Sequence, residues 1–204
     1  MNKILFFISL ITLNSFAQNS FFDIISNSKK ASHLLLTIGD VEFRYTENRG
    51  ELFTEIHIDG FSKSYDLGNP DLPVYSKLIE IPSNGDVSIS IINKTESHID
   101  LSGIGFPDKL IPSQRSISKS EDPTLIDFKF NEKVYSTDEF YANELISVER
   151  LGIMRGRTIA RIKISPFAYN PLTHSLKVID DLEFKVEYSS NIQPPNNTHY
   201  SRVY

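Results

Sequence analysis

Hydrophobic and polar residues trade places one by one along much of this chain. DLEFKVEY, residues 181–188, turns Leu182, Phe184, Val186 and Tyr188 to one side and Glu183, Lys185 and Glu187 to the other. The same period of two runs through DVSISII (86–92), where Val87, Ile89 and Ile91 oppose Ser88 and Ser90, and through TIARIKIS (158–165), where Ala160, Ile162 and Ile164 oppose Arg161 and Lys163. VEFRYTE (41–47) sets Val41, Phe43 and Tyr45 against Glu42 and Arg44, and ELFTEIHID (51–59) follows it through Asn48-Arg49-Gly50. Weaker strand patterns lie near 34–38, 74–81, 95–101, 125–130 and 145–151. A strand with one apolar and one polar face has one side in a core and one in water, which is the antiparallel pattern. About eight to ten such strands, separated by turn residues, predict an all-β antiparallel sandwich or jelly roll. Helix signals are few: a capping-box spacing, Ser136 to Glu139, in STDEFYANELI (136–146), and a short turn over Phe22 to Lys30.

Prolines punctuate the pattern. In GNPDLPVYSKLIEIP, residues 68–82, Pro70 and Pro73 fix their own φ and push Asn69 and Leu72 into extended geometry. The segment enters stiffly, becomes a strand from Val74 to Ile81 and stops at Pro82. A strand so bounded belongs at a sheet edge, because proline donates no ladder hydrogen bond. IPSQRSISKSEDP, 111–123, is polar and bounded by prolines, and reads as a long exposed loop. Residues 189–204 lose the alternation and carry Pro194-Pro195, which reads as a linker towards a missing downstream domain.

The first residues are of another kind. Lys3 precedes an apolar run from Ile4 to Phe16, and Ser15-Phe16-Ala17 offers small residues for cleavage before Gln18. Residues 1–17 read as a secretory signal peptide, leaving 18–188 as the folded domain and no membrane span once the signal is removed. Removing them takes away Lys3 and no acid, so the net charge passes from −5 to −6. That balance argues against nucleic acid and against an anionic membrane surface as partners. The chain has no cysteine. It therefore supplies no thiol nucleophile, thiolate metal site or disulfide, and stands on its core alone.

Two stretches carry a resemblance. G-x-P-D-L-P-V-Y-x-x-L-I-E-I-P resembles the signature of the gingipain propeptide family, the N-terminal pro-domain of secreted cysteine endopeptidases. Further on, Arg155-Gly156-Arg157 and ARIKISPFAYNPLTHSLKVIDDLEFKVEY are similar to the family's closing pattern, and the Tyr-rich VYSTDEFY (134–141) is a weaker match; together these span roughly residues 39–188. The resemblance implies a β-sandwich pro-domain that precedes a caspase-like catalytic domain, assists its folding and keeps it latent until cleaved off. It implies secretion through the periplasm to the exterior or cell surface, by a type IX route, and no cofactor. In several members a basic residue of the pro-domain enters the protease's specificity pocket. The partner is then a cysteine endopeptidase catalytic domain, in cis or in trans, and this chain alone is no enzyme.

Which basic residue fills the pocket is a separate inference. The 111–123 loop offers Arg115 or Lys119; Arg155 and Arg157 are the rivals, and Arg150 is weaker. A loop whose cations touch only water is the plain alternative. Other chemistry has little support. His33, His57, His98, His174 and His199 show no metal-ligand spacing. GIGFP (103–107) lacks a following helix, and there is no G-x-S-x-G elbow. Asp180-Asp181 and Glu121-Asp122 sit at turns, where acids are usually solvated; calcium at Asp71, Asp180 or Asp181 is a remote option, and no metal site is assigned. Asn93 and Asn196 begin glycosylation sequons. A carbohydrate- or protein-binding module is the rival of a different class, weakened by the absence of Trp.

Overall fold

The computed structural model describes residues 21–28, 30–83, 86–122 and 126–189. The expected signal peptide, the expected linker beyond Ser189 and the Asn196 sequon lie outside them. The strands are β1 (Phe21–Asn27), β2 (Ala31–Thr37), β3 (Glu42–Asn48), β4 (Glu51–His57), β5 (Tyr75–Ile81), β6 (Val87–Asp100), β7 (Tyr141–Ala142), β8 (Ile146–Met154), β9 (Arg157–Ile164), β10 (Phe167–Asn170) and β11 (Ser175–Tyr188), with one helical turn, α1 (Glu132–Tyr135), between β6 and β7.

Six strands form the large sheet, in the order β1-β2-β11-β10-β7, with β6 along the other side of β11. A second sheet runs β5-β9-β8, and β3-β4 is a separate hairpin. Every ladder between named strands is antiparallel. The inward residues of the two larger sheets meet in one core: Leu34 and Leu36 of β2 and Leu182, Phe184 and Val186 of β11 share it with Ala160, Ile162 and Ile164 of β9. This is the sandwich that the alternation predicts. As expected from its flanking prolines, β5 is an edge strand, pairing with β9 alone among the described residues.

Four expectations need correction. Phe22 to Lys30 is not a helical turn; most of it is β1, and Ile25 is an extra residue at a bulge between Ile24 and Ser26. The bulge breaks the period of two, so the sequence loses its strand signature there. The helix is not 136–146 but the single turn of α1, whose Asn131 cap accepts from the Val134 N–H at 3.4 Å. It ends where Tyr135 is drawn into the core and donates to the Leu110 carbonyl at 2.7 Å. Residues 126–130 alternate but belong to no strand; they are stitched by side chains, as described below. The segments 86–92 and 95–101 are one strand, β6, in which Ile92 is extra. Ile91, expected inside, is 49% exposed because β6 is an edge. Bulged edges resist pairing with a second chain.

The completely buried Phe184 sits where both sheets meet. Phe184→Ala is expected to cost about 3–5 kcal/mol of unfolding free energy in urea titrations. Leu78→Ala, on the outer face of β5 and 45% exposed, is expected to cost less than about 1 kcal/mol. Equal costs for the two substitutions would contradict this placement of the core.

Candidate functional site

The site is built from a buried stretch that is not a strand. Leu110 and Ser113 are each 1% exposed, so the first part of the expected 111–123 loop lies inside the protein. Buried backbone must find partners, and this stretch finds them in several places. Thr54 of β4 donates its N–H to the Lys109 carbonyl at 2.9 Å and its hydroxyl to the Asp108 carbonyl at 3.0 Å, and accepts the Ile111 N–H at 2.9 Å. The Asp71 N–H donates to the Ile111 carbonyl at 2.9 Å. The Leu110 carbonyl takes the Tyr135 hydroxyl, and the Leu110 N–H reaches the Tyr169 oxygen at 3.4 Å. Burial pushes the Tyr169 phenol up to about 12 and raises Tyr135 further, so both stay neutral.

The exposed loop begins only at Arg115. Its guanidinium donates to both carboxylate oxygens of Glu121, at 2.9 and 3.0 Å, the bidentate pairing that suits a planar fork. The same carboxylate accepts the Ser118 N–H at 2.9 Å. The Arg115 hydrogen bonds, then that from Ser118, hold the Glu121 carboxyl at about 2. The Glu121 N–H closes a turn onto the Ser118 carbonyl at 3.0 Å. Lys119 is the second residue of this turn, exposed, with no hydrogen-bond or ion-pair partner among the described residues. Arg115 and Lys119 therefore differ in kind: one is the staple of the loop, the other its presented cation.

The rivals belong to the β8–β9 hairpin. Arg155 and Gly156, both at positive φ (52° and 77°), make the tip of the β8–β9 hairpin, and Arg155 is exposed there. Arg157 reaches Glu80 of β5 at 3.3 Å. Arg150 donates to the Ser83 carbonyl at 2.8 Å and fastens β8 to the chain leaving β5.

Other polar clusters are occupied by the fold itself. Asp71 is buried, accepting the Ser64 N–H at 2.9 Å and facing Lys63 at 3.6 Å. It lines a concavity of about 340 Å³ with Glu55, His57, Phe61, Lys63 and Tyr65. Burial pulls the Lys63 pKa down, but the pairs with Glu55 and Asp71 outweigh it and leave it raised. Asp181 accepts from Thr37 at 2.7 Å and Thr95 at 3.0 Å, and Asp180 from Ser97 at 2.8 Å. Among the described residues no three His, Asp or Glu side chains gather as metal ligands. Tyr45, expected inward, is 48% exposed; it lies against Phe106 and donates to the Gly105 carbonyl.

Sequence reasoning missed Glu121, set aside as a solvated turn acid, and Gln114. Their partners are six and fifteen residues away in chain with no regular period, so no spacing rule marks them. The opposite charges flanking SISKS were the one available signal.

Comparison with known proteins gives a consistent picture. The Propeptide_C25 family model matches residues 24–200. Lys-gingipain HG66 of Porphyromonas gingivalis is 32% identical over 92% of this chain, and the chain spans 12% of that relative's length. Gingipain R1 of the same organism is 23% identical over 60% of the chain and 12% of its own length. Among solved structures, one addressing the zymogenic latency of gingipain K from P. gingivalis superposes with a TM-score of 0.78 at 32% identity, covering 84% of this chain and 93% of that one. A complex of P. gingivalis RgpB pro- and mature domains shares the fold, with a TM-score of 0.71 at 16% identity over 88% and 90% of the two chains. A match of this extent to the family model, joined to a relative at this identity over nearly the whole chain, has one meaning: the chain belongs to the gingipain propeptide family.

Proposed function

We propose that this chain is the latency-maintaining pro-domain of a gingipain-like cysteine endopeptidase, both folding aid and inhibitor of the catalytic domain, and that Lys119 is the residue that enters the specificity pocket. The observation that carries the reading is a cation without a partner among the described residues, at the apex of a stapled turn, in a chain of the propeptide family. A pocket selective for basic side chains ends in an acid, and an ammonium on a flexible stem makes a charge-assisted pair there. Arg115 is poorly placed for that task, because entering a pocket would break its two bonds to Glu121. The chain has no cysteine and cannot perform the protease's chemistry itself.

Inhibition without hydrolysis also follows from the turn. Attack on a peptide carbonyl needs an in-line approach within a narrow geometry. A backbone closed by the Ser118–Glu121 bond, with the Arg115 pair across its base, does not extend into that geometry unless the staple opens. If pro-domain and enzyme share one polypeptide, the effective concentration is on the order of millimolar, and separation after cleavage removes it. The character of residues 1–17 supports export, and the family resemblance supports passage through the periplasm by a type IX route.

Two outcomes are expected. Mixed with the catalytic domain of a Lys-specific gingipain-like endopeptidase, the purified chain inhibits hydrolysis of a lysyl substrate. Lys119→Ala raises the inhibition constant at least about 30-fold, the least expected when a pocket acid loses its partner. An unchanged constant for Lys119→Ala removes Lys119 from the role. The second concerns pH. Because the Glu121 carboxyl is depressed in the folded loop, the staple's contribution is full above the ordinary carboxylate range and is lost as pH falls towards about 2. The loop is therefore expected to stay equally closed from pH 7.5 to 5. A Glu121 carbon resonance titrating near 4.5, the value of a free Glu side chain, would show that no staple forms.

A further inference from the structure

The signature GNPDLPV has a task in this fold that its own strand does not require. We propose that Asn69, at the Gly68-Asn69 turn, is a positioning residue: it ties together the two stems of the Lys119 loop and so sets where that lysine is held. The proposal rests on the inhibitory reading of the loop given above.

The turn grips both stems. On the descending side, the Gly68 N–H donates to the Ser113 carbonyl at 2.9 Å, and the Ser113 N–H donates back to the Asn69 carbonyl at 2.8 Å. On the returning side, the Asn131 N–H donates to the Gly68 carbonyl at 2.9 Å, and Asn131 Nδ2 donates to Asn69 Oδ1 at 2.7 Å. Asn69 thus touches residue 113 with its backbone and residue 131 with its side chain. Its own amide nitrogen is held by Asp66 at 2.9 Å, and Asp66 in turn accepts the Tyr141 hydroxyl. Gly68 suits the turn through its φ of +83°, a conformation that L side chains rarely adopt; a Cβ there would meet the Asn131 nitrogen at an ordinary contact distance of 3.4 Å. Pro70 disfavours helical geometry at Asn69, and the Asn69 carbonyl and side chain go to the two stems.

A second tie lies one step nearer the loop. Gln114 donates Nε2 to the Lys129 carbonyl at 2.7 Å and accepts the Lys129 N–H on Oε1 at 2.9 Å, imitating a strand pair with a side chain. Below it the returning stem is wedged by rings: Phe128 lies 5.9 Å from Phe53, and Phe130 stacks on Tyr135 at 4.3 Å. The loop therefore leaves the body of the protein through two fixed points. The Arg115–Glu121 staple shapes the loop's outer half, and the Asn69 and Gln114 ties fix its base.

The test uses the whole chain and two separate readouts. The first is the rate at which trypsin cuts the native chain after Lys119, followed by mass spectrometry. The second is the inhibition constant against the catalytic domain of a Lys-specific gingipain-like endopeptidase. Asn69→Ala is expected to speed cleavage after Lys119 about tenfold, because local opening governs cutting of a closed loop, and to raise the inhibition constant by about tenfold or more. Amide exchange at Ala160 to Ile164 of β9 is expected to stay at its parent rate, which a general loss of stability would not allow. Cleavage within about twofold of the parent overturns the proposal, as does faster cleavage accompanied by faster β9 exchange, or faster cleavage with an unmoved inhibition constant. Gln114→Ala carries the same expectations and takes the place of Asn69→Ala if that variant does not fold. A parent chain that fails to inhibit at all sinks the inhibitory reading, and the positioning role that rests on it, while the cleavage arm still decides whether Asn69 ties the stems.

Discussion

A buried segment joined to a strand by a single bridge, Leu110 to Thr54 of β4, is the constraint on which this protein turns. Between Leu110 and Ser113 the chain runs largely buried, and leaving buried backbone groups unpaired costs on the order of 1–3 kcal/mol each. The fold answers by surrounding them with donors and acceptors fixed elsewhere: Thr54 on a hairpin, Asp71 and the 68–69 turn in the proline-rich corner, and the hydroxyls of Tyr135 and Tyr169. Each partner comes from a different part of the sequence. The segment can be satisfied only when β4, the corner, α1 and β10 are all in place.

That dependence links the sandwich to its loop. The two larger sheets supply a core, but a core alone would leave the stretch between β6 and β7 as a free excursion of more than thirty residues. Stitching its first residues inside, and its last against Gly68 and Gln114, leaves the outer loop between Gln114 and Lys129, partners 15 positions apart in the chain. The outer turn then has its own internal pair, Arg115 with Glu121. Exposed ion pairs contribute little to global stability, and this one need not contribute any. Its effect is local, limiting the shapes that eight or so residues adopt around Lys119.

Much of the fold was legible in the alternation. The runs around 158–165 and 181–188 have one face against a core, and in β9 and β11 that face is buried almost without exception. The edge position of β5 followed from two prolines. Legibility failed where a bulge or a side chain replaced a regular ladder. Ile25 and Ile92 are extra residues that shift the period, and Gln114 stands in for a strand opposite Lys129. A period-based reading has no means of seeing such substitutes, because the sequence there keeps its apolar residues but loses their regular count. The capping-box spacing at Ser136 misled for a similar reason: the true cap, Asn131, was already committed to Asn69, and the core claimed Tyr135 one turn later.

For the site, local chemistry named the candidates and the geometry of the folded loop separated them. Polarity and flanking prolines marked 111–123, and its two cations were evident. Nothing local distinguished Arg115 from Lys119, since both are flexible, basic and surrounded by serine. The difference arises because the chain folds back within hydrogen-bond reach of Glu121, and only one of the two side chains lies on the inside of that curve. The chain's amino-acid order determined its strands, its edges and its lack of any thiol, all properties of neighbours in sequence. Which cation is spent on the fold and which is left exposed was decided by contacts within the folded loop, which no pattern of sequence neighbours displays.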